Sequence, residues 1–398
     1  MKPIILTFTA FYLPGYRGGG PIRTIANMVE RLGDDFDFRI VTTDRDLGDE
    51  KAYPDVKVDA WNTVGKGNVF YASIAMRSLS GLAKLMRQTP HDLLYLNSFF
   101  DPHFTLVPVF SRWLGHAPRR PLILAPRGEF SAGALHIKSW KKKPFVQLAR
   151  ICKLFSGVTW HASTEEEASD IRRSFPKKDG FVYVANNIAV AGDLLQNAES
   201  AHPDFEITKI ETSEPTLRVC FLSRIAAMKN LDYALEVLAH VKSTVDFKIY
   251  GPKEDPIYWN RCHTLIERLP SNIKVTYCGS VDHDEVKKTI RANDIFFVPS
   301  RGENFGHVFM ESLSVGVPIL VSDQTPWRDL ESKGIGWDIS LNRPEGFADA
   351  IEKAAQLSSK DRLRMKLNCI NFARKKAEDP LAVELNRQLF LNVLALAR

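Results

Sequence analysis

The strongest constraint on this chain is an alternation of short apolar runs with amphipathic helical stretches, which occurs in two successive series. A short, nearly continuous apolar run is typical of a strand that is buried on both faces of a parallel sheet. Strands of the first series are predicted at 4–9, 38–42, 68–71, 93–97, 122–125, 158–161 and 181–184, and those of the second at 217–222, 247–250, 274–278, 295–298 and 318–321. Both series therefore predict a doubly wound α/β domain.

The alternation stops between residues 189 and 215, in a polar stretch rich in Glu, Ala and Ser. A chain of 398 residues is too long for one ordinary core, so this break marks the expected domain boundary. We predict a first domain at 1–190, a linker at 191–215, a second domain at 216–380, and a last helix at 381–398 that crosses back to the first domain. Two such domains facing each other would leave a cleft at the carboxyl ends of both sheets, where these folds bind ligands.

The basic residues are concentrated in the first half. Residues 112–153 hold ten Lys or Arg side chains and a single acid, Glu129. The stretch Lys138–Lys153 mixes these cations with apolar side chains, so we expect either a solvated helix face or reversible docking on an anionic membrane. Nucleic acid is not expected as a partner, because no recognition module accompanies the charge.

The apolar runs and the cysteines indicate where in the cell the protein is expected. The apolar run at the N-terminus covers about eight residues and is interpreted as a first strand rather than a signal peptide, and no run is long enough to span a membrane. The five cysteines are scattered singly, which favours a reducing compartment. We expect a cytoplasmic protein that is soluble or peripheral on the inner face of the cytoplasmic membrane.

The segment 294–323 is the most informative part of the second series. A buried strand ends in a loop that carries Glu303, and a helix predicted to begin near Phe305 carries Glu311 eight residues later. Two carboxylates held apart in this way could grip two parts of one extended ligand. The amides of Phe305, Gly306 and His307 at the helix start would favour a phosphate on the same ligand.

Two cations follow the first strand of the second domain. Arg224 lies at the end of that strand and Lys229 opens the next helix. Without an anionic ligand these side chains would repel each other, so the pair indicates a pyrophosphate site.

The combined pattern resembles glycosyltransferase family 4. The resemblance rests on ENFGHVFME at 303–311, on SVGVPILVS at 314–322, and on the Arg224–Lys229 pair. It extends to the first half through Gly18–Gly20, through PRGEF at 126–130 and through WHASTEEEA at 160–168. The resemblance implies a retaining enzyme with the GT-B fold, in which two facing Rossmann-like domains enclose an interdomain cleft.

The resemblance also implies residue roles. Arg224 and Lys229 would bind the diphosphate of a nucleotide-sugar donor, Glu311 its ribose, and Glu303 its sugar, while Asn304, Phe305 and Gly306 offer backbone amides. Gly19 and Gly20 would line the donor site from the first glycine-rich loop. Fixed cations would then stabilise the departing nucleoside diphosphate, so neither a metal nor another cofactor is expected.

The acceptor side is less sharply defined. Several family members carry a His at the end of the fourth strand, where this chain has Asn97 and Ser98. Asn97, Arg127 and His161 are the acceptor-side candidates, and the expected acceptor is a glycan or a lipid-linked glycan in bacterial-type polysaccharide biosynthesis.

Other functions remain open at this stage. A sugar-nucleotide epimerase of the same fold, a phosphorylase or a non-catalytic two-lobed sugar-binding protein would share much of the pattern. The triplets Asp44-Arg45-Asp46 and Asp282-His283-Asp284 would suit a metal-dependent transferase, although two cations already assigned to the phosphates make a metal redundant.

Overall fold

A computed structural model describes residues 2–136, 139–176, 180–189 and 216–396. The chain divides into two compact units, the first comprising Met1–Ile188 with Asp379–Arg398 and the second Ala189–Glu378. The whole of the expected linker, 191–215, lies outside the described residues.

The first unit contains one eight-stranded sheet, in the order β3-β4-β2-β1-β5-β6-β7-β8. Its strands are β1 (Ile4–Phe8), β2 (Asp37–Thr43), β3 (Trp61–Val64), β4 (Gly67–Ala72), β5 (Leu93–Asn97), β6 (Leu122–Ala125), β7 (Val158–Ala162) and β8 (Gly180–Val184). All neighbours pair in parallel except β3 with β4. The edge strand β3 was not predicted, because its polar residues break the apolar run on which strand prediction relied.

Helices cover both faces of this sheet. They are α1 (Gly20–Leu32), α2 (Leu79–Gln88), α3 (Val107–Trp113, after a π-helical turn at Pro102–Leu106), α4 (Ala132–His136), α5 (Ser139–Ile151), α6 (Glu165–Ser174) and, from the C-terminal segment, α13 (Pro380–Ala395). Helix α13 packs against α1, and its Phe390 ring meets Phe36, Phe38 and Tyr95. The C-terminal helix is therefore part of the core of the first unit.

The second unit contains a six-stranded parallel sheet in the order β11-β10-β9-β12-β13-β14. Its strands are β9 (Leu217–Leu222), β10 (Val245–Tyr250), β11 (Ile273–Gly279), β12 (Ile295–Val298), β13 (Ile319–Ser322) and β14 (Gly336–Ile339). Its helices are α7 (Leu231–Leu238), α8 (Pro256–Ile266), α9 (His283–Arg291), α10 (His307–Ser314), α11 (Pro344–Ala355) and α12 (Ser359–Glu378). Strand β14 and helix α12 were not predicted.

Each sheet has a point where the strand order reverses. In the first sheet the chain leaves β1 toward β2 on one side, while β5 lies on the other side of β1. In the second sheet β9 is followed by β10 on one side and has β12 on the other. Loops diverge at such switch points, and the crevice between them is the usual ligand site of an open α/β sheet.

Candidate functional site

The predicted donor-binding residues of the second unit converge on its switch point. Arg224 and Lys229 follow β9, and Glu303 follows β12. Because β9 and β12 are hydrogen-bonded neighbours, with Phe296 opposite Cys220, their two loops leave the sheet side by side. The fold thus brings together three residues that lie far apart in the sequence.

Asn230 fastens these two loops to each other. This residue has a left-handed backbone, with φ 63° and ψ 40°, between a 3-10 turn at Ala227–Lys229 and the start of α7. Its Nδ2 donates to the carbonyl oxygen of Pro299 at 3.0 Å, and its Oδ1 accepts from Nε of Arg301 at 2.8 Å. The Arg301 amide also donates to the Met228 carbonyl oxygen at 2.9 Å. The role of Asn230 was not predicted from the sequence, because its partners lie 69 and 71 residues away along the chain.

Lys229 and Glu303 form an ion pair across the two loops, between Nζ and Oε2. Both side chains are 17% exposed, so the pair is shielded from solvent more than a surface salt bridge is. Arg224 pairs with Glu254 at 3.0 Å, and each of these side chains is 40% exposed. The expected repulsion between Arg224 and Lys229 in the absence of an anionic ligand is therefore relieved, because each cation is paired with its own carboxylate.

Gly306 shapes the start of α10. Its φ of 75° lies in the left-handed region, and a Cβ atom there would collide with the Phe309 ring and approach Cγ of Glu303 to 3.1 Å. A glycine is required for both reasons. The helix begins at His307, two residues later than predicted, because Gly306 is its N-cap.

The remaining donor-side candidates lie on the same strand-to-helix connection. The Phe305 carbonyl oxygen accepts from Nε1 of Trp327 at 2.5 Å, and the two rings are also in contact. Asn304 stands between Glu303 and Phe305, and the half-buried Glu311 lies in the second turn of α10. The residues of the second unit that were predicted to bind the donor, from Glu303 to Glu311, thus lie on one segment, and Lys229 contacts its first residue.

Gly19 and Gly20 belong to the first unit, at the start of α1. Gly19 is the N-cap of α1 with φ 76°, and no heavy atom lies within 4 Å of the position that its Cβ would take. Backbone conformation, rather than lack of space, is therefore what calls for glycine at this position.

Arg127 is held at the carboxyl end of the first sheet by three side chains. Its guanidinium donates to Oδ1 of Asn97 at 2.7 Å, to Oδ1 of Asn187 at 2.9 Å and to the Tyr95 hydroxyl at 2.6 Å. Arg127 itself has a left-handed φ of 57° and is half-buried. Two acceptor-side candidates, Asn97 and Arg127, are therefore in direct contact.

His161 adjoins this network, and both of its ring nitrogens are hydrogen-bonded within the protein. It is buried, its Nε2 lies 2.9 Å from the Ala185 carbonyl oxygen, and its Nδ1 lies 2.8 Å from the Tyr95 hydroxyl. A carbonyl can only accept, so Nε2 carries the proton and Nδ1 accepts from Tyr95. Burial, followed by the charge of Arg127, lowers the pKa of His161 to about 3. His161 is thus a neutral positioning residue, connected to Arg127 through Tyr95.

Two acids of the first-domain motifs stabilise the surrounding loops. Glu129 accepts from the Ser98 hydroxyl at 2.8 Å and from the amide of Phe100 at 3.1 Å. Glu167 accepts from the Gly128 amide at 2.6 Å and from the Ser163 hydroxyl at 2.7 Å. Both side chains belong to motifs that the sequence singles out, but their roles are not readable from it, because Ser98 and Gly128 lie more than 30 residues away from Glu129 and Glu167, respectively.

The first Asp-x-Asp triplet is engaged by protein groups. Asp44 contacts Arg45 at 2.9 Å and Arg77 at 2.6 Å. Oδ2 of Asp46 accepts from the amides of Tyr16 and Arg17 at 2.8 and 3.1 Å, which secures the glycine-rich loop. These bonds give the triplet a structural role.

The basic stretch is a mixed surface on α5. Trp140, Leu148 and Ile151 are 73%, 58% and 78% exposed, while Lys141 and Lys143 are exposed beside them. Lys142 differs, because its Nζ donates to the Ala134 carbonyl oxygen at 2.8 Å and lies over the Phe100 ring. Among the described residues, no helix combines the length and apolar character needed to cross a bilayer.

Residues 204–376 match the family model described as Glycosyl transferases group 1. An uncharacterized 41.2 kDa protein in the cps region of Klebsiella pneumoniae is 24% identical over 256 residues, which are 64% of this chain and 66% of that protein. The alpha-monoglucosyldiacylglycerol synthase of Streptococcus pneumoniae is 23% identical over 326 residues, or 79% of this chain and 69% of the synthase. The resemblance to a glycosyltransferase family that the sequence predicts is confirmed.

Solved structures resemble the whole chain. Sucrose-phosphate synthase from Thermosynechococcus elongatus superposes with a TM-score of 0.69 at 14% identity, covering 100% of both chains. HepE of Anabaena, crystallised with UDP and glucose, superposes with a TM-score of 0.65 at 16% identity, covering 99% of this chain and 100% of that one. These similarities confirm the predicted GT-B fold class.

Proposed function

We propose that this protein is a retaining glycosyltransferase that transfers a sugar from a nucleotide-sugar donor to a glycan or lipid-linked glycan acceptor. The observation that carries the proposal is the Lys229–Glu303 pair at the switch point of the second sheet, fastened by Asn230. The match to group 1 glycosyltransferases and the likeness to a structure that holds UDP and glucose support it.

The donor diphosphate is proposed to bind Lys229 and Arg224. Both cations already have carboxylate partners, so an arriving diphosphate competes with Glu303 and Glu254 for them. Displacement frees the Glu303 carboxylate to accept from the hydroxyls of the donor sugar. One exchange of partners would thus assemble the phosphate and sugar contacts together.

The cations then act on the leaving group. Negative charge grows on the nucleoside diphosphate as the glycosidic bond breaks, and Lys229 and Arg224 are proposed to stabilise it. Glu311 is proposed to bind the ribose, and the amides of Asn304, Phe305 and Gly306 to contact the sugar or its phosphate. We propose that no metal ion takes part, because the two cations supply the positive charge.

The acceptor is proposed to bind near Arg127 and Asn97 in the first unit. The Klebsiella relative from a cps region and the relative named alpha-monoglucosyldiacylglycerol synthase support a polysaccharide or lipid-linked acceptor. Arg127 is immobilised by its three partners, so it can donate to an acceptor hydroxyl or phosphate with little loss of side-chain entropy.

A thermal-shift titration tests the donor site. We expect one of UDP, GDP and ADP to raise the unfolding midpoint selectively, both in EDTA and with magnesium, since binding to the native state stabilises it. Lys229→Gln should abolish that shift, whereas Lys274→Gln, at an exposed position of β11, should leave it unchanged. A shift that requires magnesium, or that survives in Lys229→Gln, contradicts the proposed diphosphate site.

Turnover separates a transferase from the other functions. Glu303→Gln should still show the nucleotide shift, because the diphosphate contacts remain, but should lose acceptor-dependent release of the nucleoside diphosphate. Conversion of the donor sugar without any acceptor would indicate an epimerase. Tight binding of a free sugar without nucleotide would indicate a binding protein.

Docking on an anionic membrane through α5 is a second part of the proposal. It rests on the exposed Trp140, Leu148 and Ile151 beside Lys141 and Lys143. Lys141→Glu combined with Lys143→Glu should reduce flotation with phosphatidylglycerol vesicles, since each Lys near the surface contributes about 1 kcal/mol.

The control for flotation is the same charge reversal at exposed positions elsewhere in the first unit, Lys51→Glu with Lys57→Glu. Lys142 is left intact because its Nζ is bonded within the protein. Equal flotation of both double variants and the wild type would remove the membrane role of α5.

A further inference from the structure

Several basic side chains lie at the amino ends of the strands of the first sheet, whereas the Arg127 network lies at the carboxyl ends. Leu94 pairs with Leu122, so by this register Arg120 lies opposite Asp92, and Arg119 lies opposite His91. Arg112 is near the end of α3, which packs against α2, and the chain reaches His91 directly after α2. Three elements therefore bring these side chains to one place.

The buried members of this cluster have polar atoms without partners. His91 is 5% exposed, and its Nδ1–H donates to the Thr89 carbonyl oxygen at 2.7 Å, but its Nε2 is buried with no hydrogen bond. Nε and NH1 of Arg112 and the hydroxyl of Ser111 are also buried with no hydrogen bond. Such groups are expensive to bury unsatisfied, and a native structure rarely leaves several together.

Asp92 is the nearby carboxylate, and it accepts from the amide of Ile4 at 2.8 Å. In the described ranges, none of Arg112, Arg119 and Arg120 forms a salt bridge with it or with another acid, so the positive charges of the cluster outnumber the negative one. Burial, then the charge of Arg119, lowers the pKa of Arg112 to about 10. Burial also lowers the pKa of His91, with further contributions from Arg120 and Arg112.

We propose that Arg112, Arg119 and Arg120, which lie near the buried His91, form a binding site for a phosphoryl group. Guanidinium groups match the oxygens of phosphate in charge and in hydrogen-bond geometry, and the Ser111 hydroxyl adds a neutral donor. A doubly charged phosphoryl group suits three arginines better than a single carboxylate does. This site lies in the first unit and is independent of the donor site proposed in the second.

Titration with inorganic phosphate tests the site. The experiment uses the full chain with Lys229→Gln, so that the proposed donor site does not contribute, and it holds ionic strength constant with chloride. We expect phosphate to raise the unfolding midpoint, and Arg112→Gln to weaken the apparent Kd about tenfold or more, the usual effect of losing a charge-assisted hydrogen bond. Arg374→Gln, an exposed arginine of α12, is the matched control.

A second variant guards against misfolding. Arg120→Gln removes an exposed guanidinium and should weaken phosphate binding without disturbing the core. Stabilisation by phosphate that is no greater than that by chloride overturns the proposal. The same conclusion follows if Arg112→Gln and Arg120→Gln both bind phosphate as the control does.

A vesicle arm identifies the source of the phosphoryl group. Trp113 and Leu114, next to Arg112, are 52% and 48% exposed, so a phospholipid headgroup is one source. If phosphatidic acid vesicles compete with phosphate and Arg120→Gln abolishes that competition, the natural ligand is a lipid phosphate. Phosphate binding without competition by vesicles assigns the site to a soluble phosphorylated compound.

Discussion

Asn230→Ala should destabilise the second unit and disrupt the candidate donor site at the same time. The substitution removes the bond to the Pro299 carbonyl oxygen and the bond from Arg301. A neutral hydrogen bond contributes about 1 kcal/mol and one to a charged group about 2 kcal/mol. Alanine in the left-handed region costs about 1 kcal/mol more. We therefore expect the free energy of unfolding to fall by about 4 kcal/mol.

The assay is urea unfolding of the wild type, Asn230→Ala and Asn230→Gly. Glycine adopts φ 63° without strain, so Asn230→Gly should lose the two hydrogen bonds and avoid the backbone term. Both variants should also weaken binding of the selected nucleoside diphosphate, because the loop that carries Lys229 is no longer tied to the loop before Glu303. A loss of less than about 1 kcal/mol in Asn230→Ala, with unchanged nucleotide affinity, would refute the reasoning.

Three further outcomes are expected. His161 should cost the wild type about 2 kcal/mol of stability between pH 7 and pH 5, because its side chain stays neutral in the folded state and takes up a proton in the unfolded state below a pKa of about 6.5; His161→Gln should lose correspondingly less in pH-dependent urea unfolding. Gly306→Ala should lower the thermal midpoint and nucleotide affinity together, through its φ of 75° and the collision with Phe309, and an unchanged midpoint would contradict this view of the helix start. Phe390→Ala should cost about 3–5 kcal/mol by opening a cavity against Phe36 and Phe38, measured by unfolding against the control Leu391→Ala at an exposed position.

Much of the fold was readable because its information is local. Buried parallel strands need continuous apolar runs, and the predicted strands 93–97, 122–125, 217–222 and 295–298 coincide with the observed ones. Strands β3 and β14 escaped prediction, since an edge strand with mixed polarity has no such run. Helix α12 was missed for a similar reason: only three of its residues are buried, all of them Cys or Ala.

The candidate donor site likewise has features that depend on local sequence and features that depend on the tertiary structure. The sequence alone determined the residue types and the spacing within two pairs, Arg224 with Lys229 and Glu303 with Glu311. Each pair lies on a single strand-loop-helix connection, so its spacing is local. Only the tertiary structure decided that Lys229 pairs with Glu303, 74 residues away, since that contact depends on β9 and β12 being neighbours. Sequence periodicity carries no information about strand order.

The same holds for the residues that sequence reasoning missed or misassigned. Tyr95 and His161 are 66 residues apart, and their shared hydrogen bond turns a ligand candidate into a neutral support for Arg127. In the sequence, the basic residues between 112 and 153 form one charged stretch. In the fold, Arg112 and Arg120 lie at the amino ends of the strands, and Arg127 lies at the carboxyl ends. Arg120 and Arg127 are only seven residues apart, but they flank β6 and therefore lie at its opposite ends. Residues that are distant in sequence come together when they lie at the same ends of neighbouring strands.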